Sequence, residues 1–316
     1  MEDLVNNQPI VKNELSFNTQ FLVTSGNVFS MDWNFLETFL EEMEKINVPV
    51  KIIKGLQEWG QDFIKLAYHI NGSLKLNLVL RNSSDYIIDS IKKELTCQNI
   101  FIENVSENTN LYNLQKGGNY CVLPNTVYYN GVSKNIIKLD ENPESSFAKY
   151  SNYLCLKIYD PNYNSENYYG DKVFHLDEIF TIIPTGYSEN DYVIFFYKPV
   201  CDNLQFQNEL LIVFEYNYNI LKNVFGKEKI FLFDTHFTKG ATFDSTRLVH
   251  PPLFNRLLIR KDDLFYIYFP YQEYITLVKL IGVLKSLNFD KIIYKFINTN
   301  TLHNLGGNLH CAFKAI

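Results

Sequence analysis

Along this chain, segments with the residue pattern of β-strands alternate with segments that have the pattern of helices. Of all the features of the sequence, this alternation restricts the possible folds most. Units of strand, helix and strand recur at intervals of roughly 50–70 residues, a pattern typical of α/β proteins. Helices are predicted after a cap at residues 30–32 and over residues 85–95, 209–225 and 271–287. Strands are predicted over residues 19–25, 48–53, 75–81, 99–105, 192–197, 229–234 and 291–297, with a strand and hairpin over 117–129.

The helix predicted over residues 271–287 has the clearest helical pattern in the second half of the chain. A stripe at helical intervals is expected to face the core. It consists of Tyr274, Leu277, Val278, Ile281 and Leu284.

The chain is long and apolar enough to bury a large core, with 316 residues, 46 % of them hydrophobic and 20 % charged. Residues 1–18 are polar and lack periodicity, so they are predicted to be a loose leader. No linker pattern divides the remainder, and residues 19–316 are predicted to form a single domain.

Neither a membrane span nor a secretion signal is visible in the sequence. No apolar run approaches the length of a membrane-spanning helix. The N-terminus also lacks the basic region and apolar core of a Sec signal peptide. We therefore expect a protein without a membrane partner that is cytoplasmic or exported without a Sec signal peptide.

The charge distribution disfavours nucleic-acid binding. The formal net charge is −6 and no long basic block is present, whereas nucleic-acid binding depends on clustered Lys and Arg. An acidic surface is mildly favourable for a cationic substrate. We make no prediction of the oligomeric state.

The cysteines and histidines do not have the spacing of a metal site. The five cysteines are odd in number, widely spaced and without a Cys-x-x-Cys pair, so neither a zinc knuckle nor a disulfide framework is expected. This number and spacing of cysteines fit best with reduced thiols in a reducing compartment. No histidine pair has metal-ligand spacing on one helix, and we predict no metal and no cofactor.

The segment Leu305–Ile316 combines a Gly-Gly turn with a short apolar run that carries Cys311. A structural thiol is unusual near a chain end, because chain ends usually fray. Two interpretations are open: Cys311 is a small buried hydrophobe, or it is a nucleophile beside glycines that allow close approach. If the run is a strand, the adjacent His310 points to the opposite side, and we interpret it as structural.

Three further motifs accompany this C-terminal one. They are Glu-Trp-Gly-Gln-Asp-Phe at 58–63, Gly-Gly-Asn-Tyr-Cys-Val-Leu-Pro at 117–124 with Val127 and Asn130-Gly131 after it, and Phe-His-Leu-Asp-Glu-Ile at 174–179. Together with Gly-Gly-Asn-Leu-His-Cys at 306–311, they resemble the protein-arginine deiminases and their relatives, the guanidine-modifying enzymes of the pentein fold. The motifs lie in that family's order and span most of the chain.

This resemblance implies a pentein-type α/β propeller with five-fold pseudo-symmetry, although we find no repeat at the level of residues. It also implies hydrolytic deimination of arginine residues in proteins or peptides to citrulline, with release of ammonia. The reaction would pass through a covalent Cys thiouronium intermediate. An arginine-containing protein or peptide would then be the partner.

The resemblance assigns four catalytic residues: Cys311 as nucleophile, His175 as acid and base, and Asp62 and Asp177 as carboxylates that hold the guanidinium. The chemistry needs these types, because paired carboxylates bind a planar cation, a thiolate attacks near neutral pH, and one histidine can both donate and accept a proton. His175 and Asp177 would share a face if their segment is a strand.

Two substrate-binding residues are also implied. Trp59 would line the channel for the substrate's aliphatic stem, and Arg81 is the nearest candidate for holding a peptide backbone. Purely structural interpretations stand beside all these assignments. Asp62 could be a helix cap or a solvated loop acid, His175 and Asp177 an ordinary strand-edge pair, and Trp59 simple core.

The sequence departs from the calcium-dependent animal members of the family. Where those enzymes have acidic residues, this chain has Phe63, Lys65 and Cys121. Hard cations prefer oxygen ligands, so activity is predicted to be independent of calcium.

Other functions are also compatible with the motifs. The C-terminal motif also resembles agmatine deiminases, so a small-molecule deiminase acting on agmatine or free arginine is one alternative. A catalytically inactive pentein acting as a binding module is another. A papain-like protease is disfavoured, because the local sequence around the Cys is absent and the Cys lies late in the chain.

Overall fold

The structure is a computed structural model. It describes residues 10–11, 15, 17–26, 28, 33–56, 59–70, 73–78, 85–96, 99–102, 120–123, 126–130, 152–156, 176–188, 190–239, 246–304 and 307–316.

The helices of the described residues, numbered in chain order, are α1 (Trp33–Lys45), α2 (Gly60–Phe63), α3 (Asp85–Leu95), α4 (Leu204–Phe225), α5 (Tyr274–Ser286), α6 (Asn300–Asn304) and α7 (Leu309–Ala312). Short 3₁₀ turns cover Leu176–Glu178 and Lys227–Lys229. The strands are β1 (Ile10–Val11), β2 (Leu22–Ser25), β3 (Val50–Ile53), β4 (Ile64–Ile70), β5 (Ser73–Leu78), β6 (Asn99–Ile102), β7 (Tyr120–Leu123), β8 (Thr126–Asn130), β9 (Asn152–Leu156), β10 (Phe180–Pro184), β11 (Tyr192–Val200), β12 (Ile230–Lys239), β13 (Thr246–Leu248), β14 (Leu257–Lys261), β15 (Leu264–Pro270), β16 (Ile292–Ile297) and β17 (Lys314–Ala315).

The described strands form five sheets, and the same pairing recurs in each of them. An antiparallel pair is followed by a parallel pair in β17-β2-β3, β4-β5-β6, β7-β8-β9, β10-β11-β12 and β14-β15-β16. In four of these sheets a helix joins the two parallel strands, namely α1, α3, α4 and α5. A crossover of this kind is what a parallel pair requires.

The α/β prediction is confirmed by these units. Within the described residues no sheet closes on itself, so the placement of five units around one axis stays a prediction. The predicted helix over 85–95 is confirmed at both ends by α3. Helix α4 begins earlier than predicted, at Leu204, because the side chain of Asn203 caps it by accepting a bond from the Phe206 N–H.

The predicted inward face of α5 is wrong in part. Leu284 is buried, but Tyr274 is 79 % exposed and Val278 is also exposed, whereas Leu280, outside the predicted stripe, is buried. Apolar residues lie all around this helix, so their spacing alone does not select the side that packs on the sheet.

The C-terminal segment is tied into the core rather than frayed. Strand β17 pairs with β2 through Lys314–Val23 and Ala315–Leu22. The Phe313 ring stacks on Phe39 of α1 with 4.2 Å between centroids. Because the residues that follow α7 pair and pack in this way, the helix has a fixed position.

The predicted leader is attached at the positions that the structure describes. Residues Ile10–Val11 pair with β4, and Leu15 is buried and accepts a hydrogen bond from the Arg260 guanidinium through its backbone carbonyl. Ile10, Val11 and Leu15 thus contact the rest of the chain, and the division into a leader and a domain stays a prediction. Among the described helices, none combines the length and the apolar character that crossing a membrane requires.

Helix α2 lies so close to α7 that only glycine fits at its first position. A Cβ on Gly60 would lie 2.3 Å from the Ala312 carbonyl oxygen and 2.7 Å from that of Val23. Both contacts are to backbone atoms, which cannot move aside as a side-chain tip can. By contrast, a Cβ on Gly282 in α5 meets no atom within 4 Å.

We therefore expect Gly60→Ala to lower the free energy of unfolding by about 3 kcal/mol or more, because overpacking of this severity forces the backbone apart. Gly282→Ala is the matched control and should raise it by about 0.5–1 kcal/mol through helix propensity. Urea unfolding followed by circular dichroism measures both. Equal stabilities for the two variants would contradict the close contact between α2 and α7.

An ion pair connects α1 to the neighbouring strand β16. The Lys295 ammonium donates a hydrogen bond to one oxygen of the Glu42 carboxylate, and the Lys45 ammonium donates to the other oxygen. The hydrogen bond from Lys295, followed by that from Lys45, holds the pKa of Glu42 below its usual value. A carboxyl with a lowered pKa stabilises the fold above its unfolded-state pKa and loses this contribution as the pH falls through its folded-state pKa.

Lys295→Met is expected to lower the free energy of unfolding by up to about 1 kcal/mol near neutral pH, a value limited by the partial exposure of Lys295. The difference from the natural chain should shrink as the pH falls below the unfolded-state pKa of Glu42. Lys45→Met, which removes a more exposed partner within the same helix, should have a smaller effect. A deficit that stays constant from neutral to acidic pH would rule out the ion pair as its source.

Candidate active site

Cys311 lies in the single turn of α7, in a buried position. The Asn308 side chain caps this helix by accepting a bond from the Leu309 N–H at 2.9 Å. All four residues of α7 are buried, and Cys311 is 3 % exposed. The apolar run predicted at this position is therefore a helix followed by the short strand β17.

Asp177 brings a carboxylate next to the cysteine. It lies in the 3₁₀ turn that precedes β10 and is 6 % exposed. Its Oδ2 is 3.7 Å from Cys311 Sγ. Its Oδ1 is buried and has no hydrogen-bond partner among the described residues. A buried carboxylate oxygen without a donor is costly, so this atom is suited to a ligand that supplies an N–H.

His310 contacts the same carboxylate, which corrects the expectation that it points away from the site. Its Nδ1 lies 2.6 Å from Asp177 Oδ2, and the ring is largely buried. The expectation assumed a strand, in which consecutive side chains point to opposite faces. In a helix they are separated by about 100° instead, so His310 and Cys311 both reach Asp177.

Asn255 also contacts the sulfur of Cys311. Its side chain is 0 % exposed, and its Nδ2 donates to Cys311 Sγ at 3.0 Å. Its Oδ1 accepts from the backbone N–H of His310 at 2.8 Å and from that of Cys311 at 3.3 Å. One carboxamide thus contacts the sulfur and the backbone that carries it.

Arg256 connects the Asn255 segment to the strand that follows Asp177. It is 1 % exposed, and its Nη2 donates to the Ile182 carbonyl of β10 at 2.9 Å. A guanidinium buried this deeply is costly unless hydrogen-bonded, so its position is strongly determined. The Cys311 side and the Asp177 side of the site are therefore joined by direct bonds.

Trp59 packs against the turn that precedes α7. The ring is half-buried, and a Cβ on Gly307 would lie 2.8 Å from its six-membered ring. The second glycine of the C-terminal motif is thus required by the tryptophan of the first motif. This contact brings the first and the last motif together in space, without assigning the indole a role in binding substrate.

For the other predicted site residues, Asp62, His175 and Arg81, the structure describes no side chain. Asp62 belongs to α2, which contacts α7, but only its backbone is described. His175 and Arg81 lie outside the described residues. In the described part of this segment the expected strand is absent, because Leu176–Glu178 is a 3₁₀ turn.

Within the described part of the chain, no group of three or more His, Cys, Asp and Glu side chains is arranged to hold a metal ion. At two of the positions where the calcium-dependent enzymes that the sequence resembles have acids, Phe63 is buried and Cys121 is partly buried. At the third, Lys65, only the backbone is described.

Sequence reasoning missed Asn255 and Arg256. The available signal was a polar Asn-Arg pair between an apolar stretch after Pro251-Pro252 and the buried strand β14. A polar pair inside an apolar run has to be satisfied by specific partners when it is buried. Nothing in the sequence indicated that one of those partners is Cys311.

Comparison with known proteins adds the fold to this geometry. No family model and no curated protein matches the chain. Among solved structures, an agmatine deiminase from C. jejuni is 15 % identical, with 99 % of this chain and 98 % of that chain covered and a TM-score of 0.62. A protein provisionally described as a peptidyl-arginine deiminase is 13 % identical, with 98 % of both chains covered and a TM-score of 0.61.

An agmatine deiminase from Enterococcus faecalis is 11 % identical, with 97 % of this chain and 95 % of that chain covered and a TM-score of 0.58. At such low identities the likeness concerns backbone architecture alone. It extends over almost the full length of these proteins. The chain therefore has the mixed α/β fold of the pentein deiminases.

Proposed function

We propose that this chain is a hydrolytic deiminase that converts the guanidinium of a small molecule into a urea and releases ammonia. The observation that carries the proposal is the pairing of Asp177 with Cys311. A buried carboxylate lies 3.7 Å from a thiol sulfur and keeps a second oxygen without a partner in the described residues. A planar cation bonded to Oδ1 would have its carbon beside the sulfur.

Agmatine or free arginine is the proposed substrate. The solved structures cited above include two agmatine deiminases, and this supports the small-molecule alternative over the protein-directed activity expected first. Deimination of arginine in proteins is the second candidate. It is favoured by the stretch Trp59-Gly60-Gln61-Asp62 and by the likeness to a protein provisionally described as a peptidyl-arginine deiminase.

The first half of the reaction forms a bond between sulfur and carbon. Asp177 and Asp62 hold the guanidinium through charge-assisted hydrogen bonds. The Cys311 thiolate attacks the guanidinium carbon, and the bond from that carbon to one terminal nitrogen breaks after the nitrogen accepts a proton. Ammonia departs, and an S-alkylthiouronium cation stays on Cys311.

The second half breaks that bond with water. His175 acts as acid when ammonia leaves and as base when it takes a proton from the attacking water. The water oxygen bonds to the carbon, the bond from carbon to sulfur breaks, and the urea leaves. The thiolate is restored, so the net reaction consumes one water and releases one ammonia.

The same proposal includes the arrangement of the five sheets, the roles of two further residues and the cellular environment. The five sheets surround one axis as a propeller with five-fold pseudo-symmetry, and residues 19–316 act as one catalytic domain. Trp59 lines the channel for the substrate's aliphatic stem, and Arg81 is the nearest candidate for holding the backbone of a peptide substrate. Neither calcium nor another cofactor is required, and the protein functions in a reducing compartment.

Ammonia release from agmatine, free arginine and an arginyl peptide tests the reaction, with excess chelator present in a parallel series. We expect turnover of agmatine or arginine at least tenfold above that of the peptide, and equal rates with and without chelator. Faster turnover of the peptide would support the second candidate instead.

Absence of product from all three substrates would overturn the enzyme proposal and favour an inactive binding module. Activity that is lost in chelator and returns with calcium would contradict calcium independence alone.

The nucleophile is tested by substitution and by labelling. Cys311→Ala should lower turnover by about 10³-fold or more while the fold is kept, because no other group replaces the covalent step. A haloamidine reagent should label the natural chain at Cys311. Cys201→Ala, which changes a partly buried free cysteine, is the control and should keep near-normal rates. Labelling that persists in Cys311→Ala would refute the assignment.

A further inference from the structure

We propose that Asn255 is a positioning residue that favours the thiolate form of Cys311 and holds its sulfur against Asp177. Its carboxamide is in contact with the sulfur on one side and with two backbone amides on the other. The inference rests on the proposed function only in taking Cys311 as the nucleophile. It goes beyond that function by assigning a role to a residue outside the four motifs.

The hydrogen-bond network determines which way the Asn255 carboxamide is oriented. The backbone N–H groups of His310 and Cys311 both point at the same side-chain atom, and only an oxygen can accept from them. The amide nitrogen must therefore face the sulfur at 3.0 Å. If the carboxamide were rotated so that its nitrogen and oxygen exchanged places, its NH₂ group would face two backbone N–H donors. The two backbone amides therefore determine the orientation of the side chain, independently of the sulfur.

A fixed N–H donor beside a sulfur stabilises the anion more than the neutral thiol. Hydrogen bonds to a charged acceptor are roughly twice as strong as those between neutral groups. A donor that binds the charged form shifts the equilibrium toward it. Asn255 donates whether or not substrate is bound, so this bias is present in the free protein.

A donor to the sulfur is needed because the Asp177 carboxylate disfavours the thiolate form of Cys311. The Asp177 carboxylate lies beside the sulfur, with Oδ2 at 3.7 Å. A negative neighbour disfavours a thiolate. The His310 ring at 2.6 Å from the same oxygen, when protonated, offsets part of that charge. Asn255 supplies a donor to the sulfur itself and does not draw on the carboxylate that the substrate needs.

Asn255 is itself held firmly, as a positioning residue must be. Its backbone N–H donates to the Pro252 carbonyl at 3.1 Å, and its carbonyl accepts from the His310 N–H at 3.4 Å. The next residue, Arg256, is anchored on β10. The donor thus keeps its place during reaction steps that change the charge of the sulfur.

The test is the pH dependence of alkylation at Cys311, which needs no turnover. Iodoacetamide labelling of Cys311 is followed by peptide mass spectrometry across the pH range in the natural chain and in Asn255→Asp. This change keeps an oxygen for the backbone amides and replaces the donor with an acceptor. We expect the midpoint of the profile to rise by at least about one pH unit, which lowers the rate below the midpoint about tenfold.

Asn255→Ser provides a second variant that carries no added charge and should shift the midpoint in the same direction. Asn217→Asp applies the same chemical change to a buried asparagine of α4 and should leave the profile unchanged. Circular dichroism verifies that each variant is folded, and one folded Asn255 variant is sufficient for the test.

An unchanged midpoint in a folded Asn255 variant would overturn the proposal. A shifted midpoint in a chain that turns over no guanidinium would uphold it while the proposed function fails. The two ideas are therefore separately testable.

Discussion

The contact between His310 and Asp177 is the constraint on which the rest of the site depends. It joins side chains that are 133 positions apart in the sequence, at 2.6 Å and largely buried. It can form only if α7 and the 3₁₀ turn before β10 are both held in place from elsewhere. Pairing of β17 with β2 holds the first, and the bond from Arg256 to Ile182 steadies the second.

Close backbone packing gives this arrangement its precision. Gly60 lets α2 touch the carbonyl of Ala312, and Gly307 lets the Trp59 ring lie against the turn before α7. Helix α7 has only four residues, too short to be stable alone, so its geometry comes from these neighbours. Cys311 is positioned by its surroundings and not by the helix that carries it.

The sequence predicted the alternation of strands and helices well, because period and caps are local properties. It did not predict the buried side of α5, where apolar residues surround the helix. The site was harder. Motif resemblance pointed to Asp177 and Cys311, which the structure brings together. Asn255 belongs to no motif, and its contact with Cys311 across 56 positions is a property of the tertiary structure alone.

The two backbone amides bonded to Asn255 Oδ1 also bear on the kind of electrophile that suits Cys311. Thiol enzymes that cleave peptide bonds or esters form an oxyanion, which backbone amides near the nucleophile stabilise. Here the amides of His310 and Cys311 already donate to a side chain. Asp177 Oδ1, on the carboxylate whose Oδ2 lies 3.7 Å from the sulfur, is a buried acceptor without a partner among the described residues. Such surroundings disfavour an acyl group and favour a carbon whose substituents carry positive charge.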